Sequence, residues 1–132
     1  MSGAANALDG KRVLLMEDDM VLGLEVVMTL EDAGAAVDGP VPELSDGMER
    51  LDGALAGGDL PDAAVLDVEL HDATVFPLAE RLKAAGVPFV FYTARASSGN
   101  TQAWQDEAPV VSKGLGSHAL LERLAEEVGA KS

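Results

Sequence analysis

Several polar residues in this chain each stand directly after an apolar run. Glu17, Asp18 and Asp19 follow Val13-Leu14-Leu15-Met16, and Asp67 follows Ala63-Ala64-Val65-Leu66. Thr93 follows Phe89-Val90-Phe91-Tyr92, and Lys113 follows Val110-Val111-Ser112. Short apolar runs alternating with helical patterns read as buried strands of a parallel sheet. The carboxyl ends of such strands are where open α/β sheets build their ligand sites. The strand ends would therefore bring acids, a hydroxyl and a cation to one mouth, a set suited to phosphoryl chemistry with a hard divalent cation. Clustered carboxylates repel one another and do not all stay ionised without a cation. Mg2+ relieves that repulsion with oxygen ligands, which makes Glu17, Asp18 and Asp67 the natural ligand set. Asp67, last on the most central strand, can attack phosphorus and form an acyl phosphate. Lys113 offers a compact positive charge and Thr93 a hydroxyl donor. Phosphoryl transfer depends mostly on such positioning and charge compensation.

Taken singly, each residue has a plainer reading. Asp18 or Asp19 can N-cap the first helix, and a strand-end Asp such as Asp67 is often a cap or turn residue. Thr93 alone is an ordinary strand end, and Lys113 alone an ordinary solvated lysine. The joint pattern, with the right groups at successive strand ends, carries the argument.

The elements that must position these groups alternate along the chain. Strands are expected at about 12–17, 36–41, 63–67, 89–93 and 110–112. Helices are expected at about 20–32, 44–56, 75–85 and 117–128. Gly34, Gly57-Gly58 and Gly86 mark helix ends. The fold class is α/β: a doubly wound five-stranded parallel sheet with right-handed crossovers, order 2-1-3-4-5. Its switch point lies between strands one and three, which brings Glu17 and Asp18 beside Asp67. Residues 96–108 should hold at most a short helix, mobile and weakly docked, because Trp104 is their only large apolar residue. The first helix is apolar almost all round. Met20, Leu24 and Val27 form one face, and Val21, Leu22, Val26, Met28 and Leu30 spread over the rest. Such a helix is either wedged between neighbours or an interface with a partner or a second copy.

Composition narrows the function classes. The 132 residues fit one domain: a flexible leader over 1–10, rich in Ala, Gly, Ser and Asn, and a folded unit over 11–130. The chain has no cysteine, which excludes a disulfide scaffold, a thiol nucleophile and thiolate metal ligation. A net charge of −14 with nine basic residues argues against nucleic acid and anionic membranes as partners. No secretory signal or membrane-spanning run stands out, and a cytoplasmic location is the expectation.

With these residues in place, the chain resembles the receiver domain of a bacterial two-component response regulator. The matching pieces are VLLMEDD, PDAAVLDVEL, VPFVFYTAR and VVSKGLGSHALLERL. They cover nearly everything from Arg12 to Val128. The stretch FPLAERLKAAGVPFVFYTA is also similar to a stand-alone receiver type of alphaproteobacteria. The resemblance implies a flavodoxin-like receiver fold in a phosphorelay. Asp67 would take a phosphoryl group from a phosphohistidine on a sensor histidine kinase or histidine phosphotransfer protein. Glu17, Asp18 and Asp67 would hold Mg2+, with the main-chain carbonyl of Glu69 completing the protein ligands. Thr93 would follow the phosphoryl group on activation and Lys113 would pair with its oxygens. Helix one and the loop after strand five would meet the donor. Such a protein is not an enzyme toward a separate substrate; it catalyses only its own phosphorylation and dephosphorylation.

Departures from the family pattern are specific. Gly114 and Leu115 stand where a proline and an aromatic usually follow the lysine, so a freer loop is expected. Val110 stands where the switch aromatic belongs; Tyr92 is an alternative, although its direction is not fixed by the sequence. The loop after Asp67 reads Glu69-Leu70-His71-Asp72. Glu69 and His71 are either solvent-facing or able to affect water near the acyl phosphate. No effector domain follows helix five, so a stand-alone receiver or an excised fragment is expected, acting through protein contacts or as a phosphate sink. The alternative function is a degenerate receiver that is never phosphorylated and serves as a binding module. Other readings fare worse. Asp67-Val68-Glu69 imitates a haloacid-dehalogenase nucleophile, but that nucleophile usually sits on the first strand. The dinucleotide-like run from Gly114 to Ala119 opens the last helix and has no returning strand after it.

Overall fold

The computed structural model describes residues 7–94, 99–104 and 106–131. The strands are β1 (Arg12–Met16), β2 (Ala36–Val41), β3 (Ala63–Leu66), β4 (Phe89–Thr93) and β5 (Val110–Ser112). The helices are α1 (Met20–Asp32), α2 (Leu44–Gly57), α3 (Phe76–Ala84), α4 (Gly99–Gln102) and α5 (Ser117–Lys131). All ladders are parallel and the order is β2-β1-β3-β4-β5, as the alternating pattern predicts. β3 is buried at every residue, which is why it reads as a continuous apolar run.

The sheet separates two apolar layers. On one side, α2 and α3 cover Leu14, Met16, Leu66, Phe89 and Phe91. On the other, α1 and α5 cover Val13, Leu15, Val65, Val90 and Tyr92. The alternation along each strand assigns successive side chains to opposite layers. β2 bends against β1 through a register irregularity between Leu14 and Met16. Gly39 sits at this bend with φ 142°, where a Cβ would lie 2.4 Å from the Leu15 carbonyl oxygen. Only glycine combines that backbone with so close an approach.

Three expectations need correction. The first concerns α1. Of a helix apolar almost all round, only Gly23, Val26 and Leu30 are buried. A Cβ at Gly23 would meet Pro40 of β2 at 2.6 Å, so the helix docks through its smallest residue. Met20, Val21, Leu24 and Met28 are left exposed, and the helix is not wedged. The second concerns the leader. Residues 1–6 lie outside the described part, but Leu8 is fully buried in the α1/α5 layer and its N–H donates to Ala33 O at 2.9 Å. The third concerns the segment before β5. Residues 96–98 and 105 lie outside the described part; among the described residues the helix is short, as expected, yet Trp104 is anchored, stacking on Phe76 at 6.2 Å and meeting Phe89 and Phe91 edge-on. One large aromatic supplies the docking that a longer α4 would otherwise give.

Candidate functional site

The polar strand-end groups converge. β1 stops at Met16 and β3 at Leu66, so Glu17 and Asp67 stand one residue beyond the ladder. Their backbones remain tied to it: Asp67 N–H donates to Met16 O at 2.9 Å, and Glu17 N–H to Val41 O at 3.0 Å. Both carboxylates are buried, Glu17 at 1% exposure and Asp67 at 6%. Asp18 is half-buried, and the three acids each offer an oxygen within 4.8 Å of the others. Asp19 takes the capping role: its Oδ1 accepts from Val21 N at 3.0 Å and Leu22 N at 3.1 Å. The acidic run thus divides into cluster members and a helix cap.

Lys113 follows β5 in a 3-10 turn over Lys113–Leu115. Its Nζ lies 3.0 Å from the Glu17 carboxylate and 3.0 Å from Asp67 Oδ2. One ammonium therefore serves two buried carboxylates. Burial raises the Asp67 pKa, the neighbouring Glu17 adds to the shift and Lys113 opposes it; the net effect pushes Asp67 up to about 8. Burial pulls Lys113 down, but its bonds to Glu17 and Asp67 win and hold it above its ordinary value. Thr93 ends β4, next to Ser112 across the ladder, and is buried at 6% exposure.

The loop expected to be freer at Gly114 has an internal tie. Gly114 N–H donates to Ser112 Oγ at 3.2 Å. A proline there would have no such donor, so the substitution supplies a hydrogen bond. Leu115, the last residue of this turn, is 69% exposed. Val110 packs toward the α2/α3 layer, whereas Tyr92 lies in the α1/α5 layer. The two are on opposite faces of the sheet, so Tyr92 does not fill the vacant aromatic position. Its hydroxyl is buried without a hydrogen-bond partner among the described residues. The Glu69 and His71 side chains are exposed, and neither belongs to the carboxylate cluster.

The donor set suits a hard cation: three carboxylates, two of them buried and sharing a single ammonium. Glu69 faces Thr74 in an antiparallel bridge whose bonds are Leu70 N–H to Ala73 O and Val75 N–H to Val68 O. In such a pair the carbonyl of Glu69 is directed out of the hairpin and is not consumed by it. Nothing in the short apolar sequence around Val68 and Leu70 announces this hairpin, which the sequence reading missed.

No family model matches the chain. Among curated proteins, the virulence transcriptional regulatory protein PhoP of Shigella flexneri is 31% identical over 122 residues, which is 91% of this chain and 49% of that protein. The transcriptional regulatory protein PhoP of Escherichia coli K12 is 30% identical with the same coverage. The chain spans about half the length of the curated relatives it matches. Among solved structures, the non-phosphorylated HemR receiver domain of Leptospira biflexa superposes with a TM-score of 0.75 at 29% identity, covering 89% of this chain and 94% of that one. A response regulator receiver protein of Sinorhizobium medicae superposes with a TM-score of 0.76 at 21% identity, covering 95% and 99%.

Proposed function

Because the chain is a response-regulator receiver domain of a two-component system, we propose that it is a phosphoacceptor whose acceptor is Asp67. The observation that carries this reading is the meeting of Asp67 with Glu17, Asp18 and Lys113 at the carboxyl ends of β1, β3 and β5. In the proposed reaction an Asp67 carboxylate oxygen attacks phosphorus, the phosphorus–nitrogen bond of a donor phosphohistidine breaks, and the imidazole leaves. The product is an acyl phosphate on Asp67. Mg2+, held by Glu17, Asp18, Asp67 and the Glu69 carbonyl, would supply positive charge beside the transferred oxygens. Lys113 then leaves its ion pair with Asp67 and follows the phosphoryl oxygens, and the Thr93 hydroxyl donates to them. Receiver domains of this kind are regulatory, and this one turns over no separate substrate in our reading.

The donor, a histidine kinase or phosphotransfer protein, is assigned to the face made by α1 and the first turns of α5. Val21 and Leu24 are 81% and 58% exposed there, and Met28, His118 and Leu121 line the adjoining groove. Glu25 and Asp32 on its rim favour a partner with apolar and basic groups together. A second copy of this chain is the other candidate for the same face, but −14 on each copy opposes self-pairing. Monomers in sedimentation at high concentration, with and without phosphorylation, would remove the homodimer.

The test is intact mass after incubation with a small phosphodonor and Mg2+, on wild type and Asp67→Asn. A phosphoryl adduct on wild type alone is expected. Equal labelling of the variant would refute the acceptor. No adduct on wild type, repeated with a phosphorylated histidine donor, would favour the binding-module reading that Val110 and Gly114 motivate.

A further inference from the structure

The turn that carries Glu69 is held from outside itself. Its base is anchored by burial, since Val68 and Leu70 are 4% and 8% exposed. Its tip, residues 71–74, is exposed and gains little from apolar packing. The tip is held instead by polar bonds to the first turn of α2 and to the loop before it. Asp72 Oδ1 accepts from Leu44 N–H at 2.6 Å, and Oδ2 accepts from Ser45 N–H at 3.1 Å. His71 N–H donates to Pro42 O at 3.0 Å.

These bonds fill a real deficit. Glu43 occupies the N-cap position of α2, yet its side chain makes no capping bond. The first N–H groups of a helix have no partner within it, and a carboxylate there is favoured by the helix dipole. Asp72 supplies that carboxylate from 28 residues away, and the bond from Leu44 holds its pKa below the ordinary carboxylate value. The end of β2 is also a shared anchor. Val41 O accepts from Glu17 N–H, and Pro42 O accepts from His71 N–H. The loop bearing one metal-site carboxylate and the turn bearing the Glu69 carbonyl are thus fastened to consecutive residues.

We propose that Asp72 is a positioning residue for the metal site: by capping α2 across the loops, it fixes the turn that presents the Glu69 carbonyl. This rests on the phosphoacceptor reading above. Loss of the cap would leave the tip, among the described residues, with His71 N–H as its one remaining polar tie to that neighbour. Partners that orient a metal ligand without touching the ion commonly change affinity by an order of magnitude or more.

Calorimetric titration with Mg2+ tests this on wild type, Asp72→Ala, Asp72→Asn and Gly58→Ala. Gly58 is the left-handed C-cap of α2 at φ 68°, so alanine there weakens the same helix from its far end. Asp72→Ala should weaken Mg2+ binding about tenfold. Asp72→Asn, whose amide oxygen keeps one of the two N–H bonds, should fall between it and wild type. Gly58→Ala should lower the melting temperature and leave Mg2+ affinity unchanged. Unchanged affinity in Asp72→Ala would overturn the proposal, as would equal weakening in Gly58→Ala. If Asp72→Ala does not fold, wild-type affinity in Asp72→Asn overturns it instead. Wild type that binds no Mg2+ would remove the metal-site reading itself, and this inference with it.

Discussion

Asp67, Glu17 and Lys113 form an unequal triad, with one cation for two buried carboxylates. The pH consequence follows from the Asp67 pKa, which rises from 3.8 to about 8 in the folded chain. Between those values the native protein keeps a proton that the unfolded chain releases, so this residue's contribution to stability falls as pH rises across that window. Urea unfolding of wild type and Asp67→Asn over this range should show wild type losing ground to the variant toward the alkaline end. A constant difference between the two would refute the shift. Saturating Mg2+ should flatten the trend, because a bound cation replaces the proton that Asp67 keeps. At this scale the meeting of Glu17, Asp18, Asp67 and Lys113 was legible in the sequence, since each stands at the end of an apolar run. The two-acid bridge by Lys113 was not, since one ammonium reaching both β1 and β3 is a distance and not a pattern. Nor was the cap by Asp72, because the N–H groups it accepts from open a helix far away in sequence.

The helix α1 shows why periodicity sometimes fails. Its apolar residues cover the whole circumference, so the stripe through Met20 and Leu24 looked as good as any other. The true docking face is decided by Gly23, whose lack of a side chain lets α1 rest on Pro40. No hydrophobicity pattern scores a glycine as a core residue. The exposed remainder of α1 yields a prediction of its own. Val21→Asp combined with Leu24→Asp should slow phosphotransfer from a cognate histidine donor at least tenfold while leaving labelling by a small phosphodonor intact. Stability should change little, since both side chains are exposed and Val21 joins the helix cap only through its backbone N–H, which the substitution keeps. Equal rates from the cognate donor would move the docking surface elsewhere. The strands, by contrast, followed the sequence closely. β4 begins and ends where its apolar run does, because a strand buried at every residue has no polar face to blur its ends.

For the whole molecule, metal binding should act as a stabiliser. A ligand that binds only the native state adds about 2.7 kcal/mol at one hundred times its Kd. Thermal unfolding with and without Mg2+ should show that gain, and an unchanged midpoint at saturating Mg2+ would count against a formed site. The two-layer core also has an optical consequence. The chain contains one tryptophan and one tyrosine, and the sheet divides them: Trp104 lies among Phe76, Phe89 and Phe91 on one side, and Tyr92 lies with the α1/α5 residues on the other. Each layer therefore carries its own chromophore. Emission from the indole reports on the segment before β5, while energy transferred to it from the phenol reports on how the two halves of the core are held together, so a single spectrum follows both layers without a label.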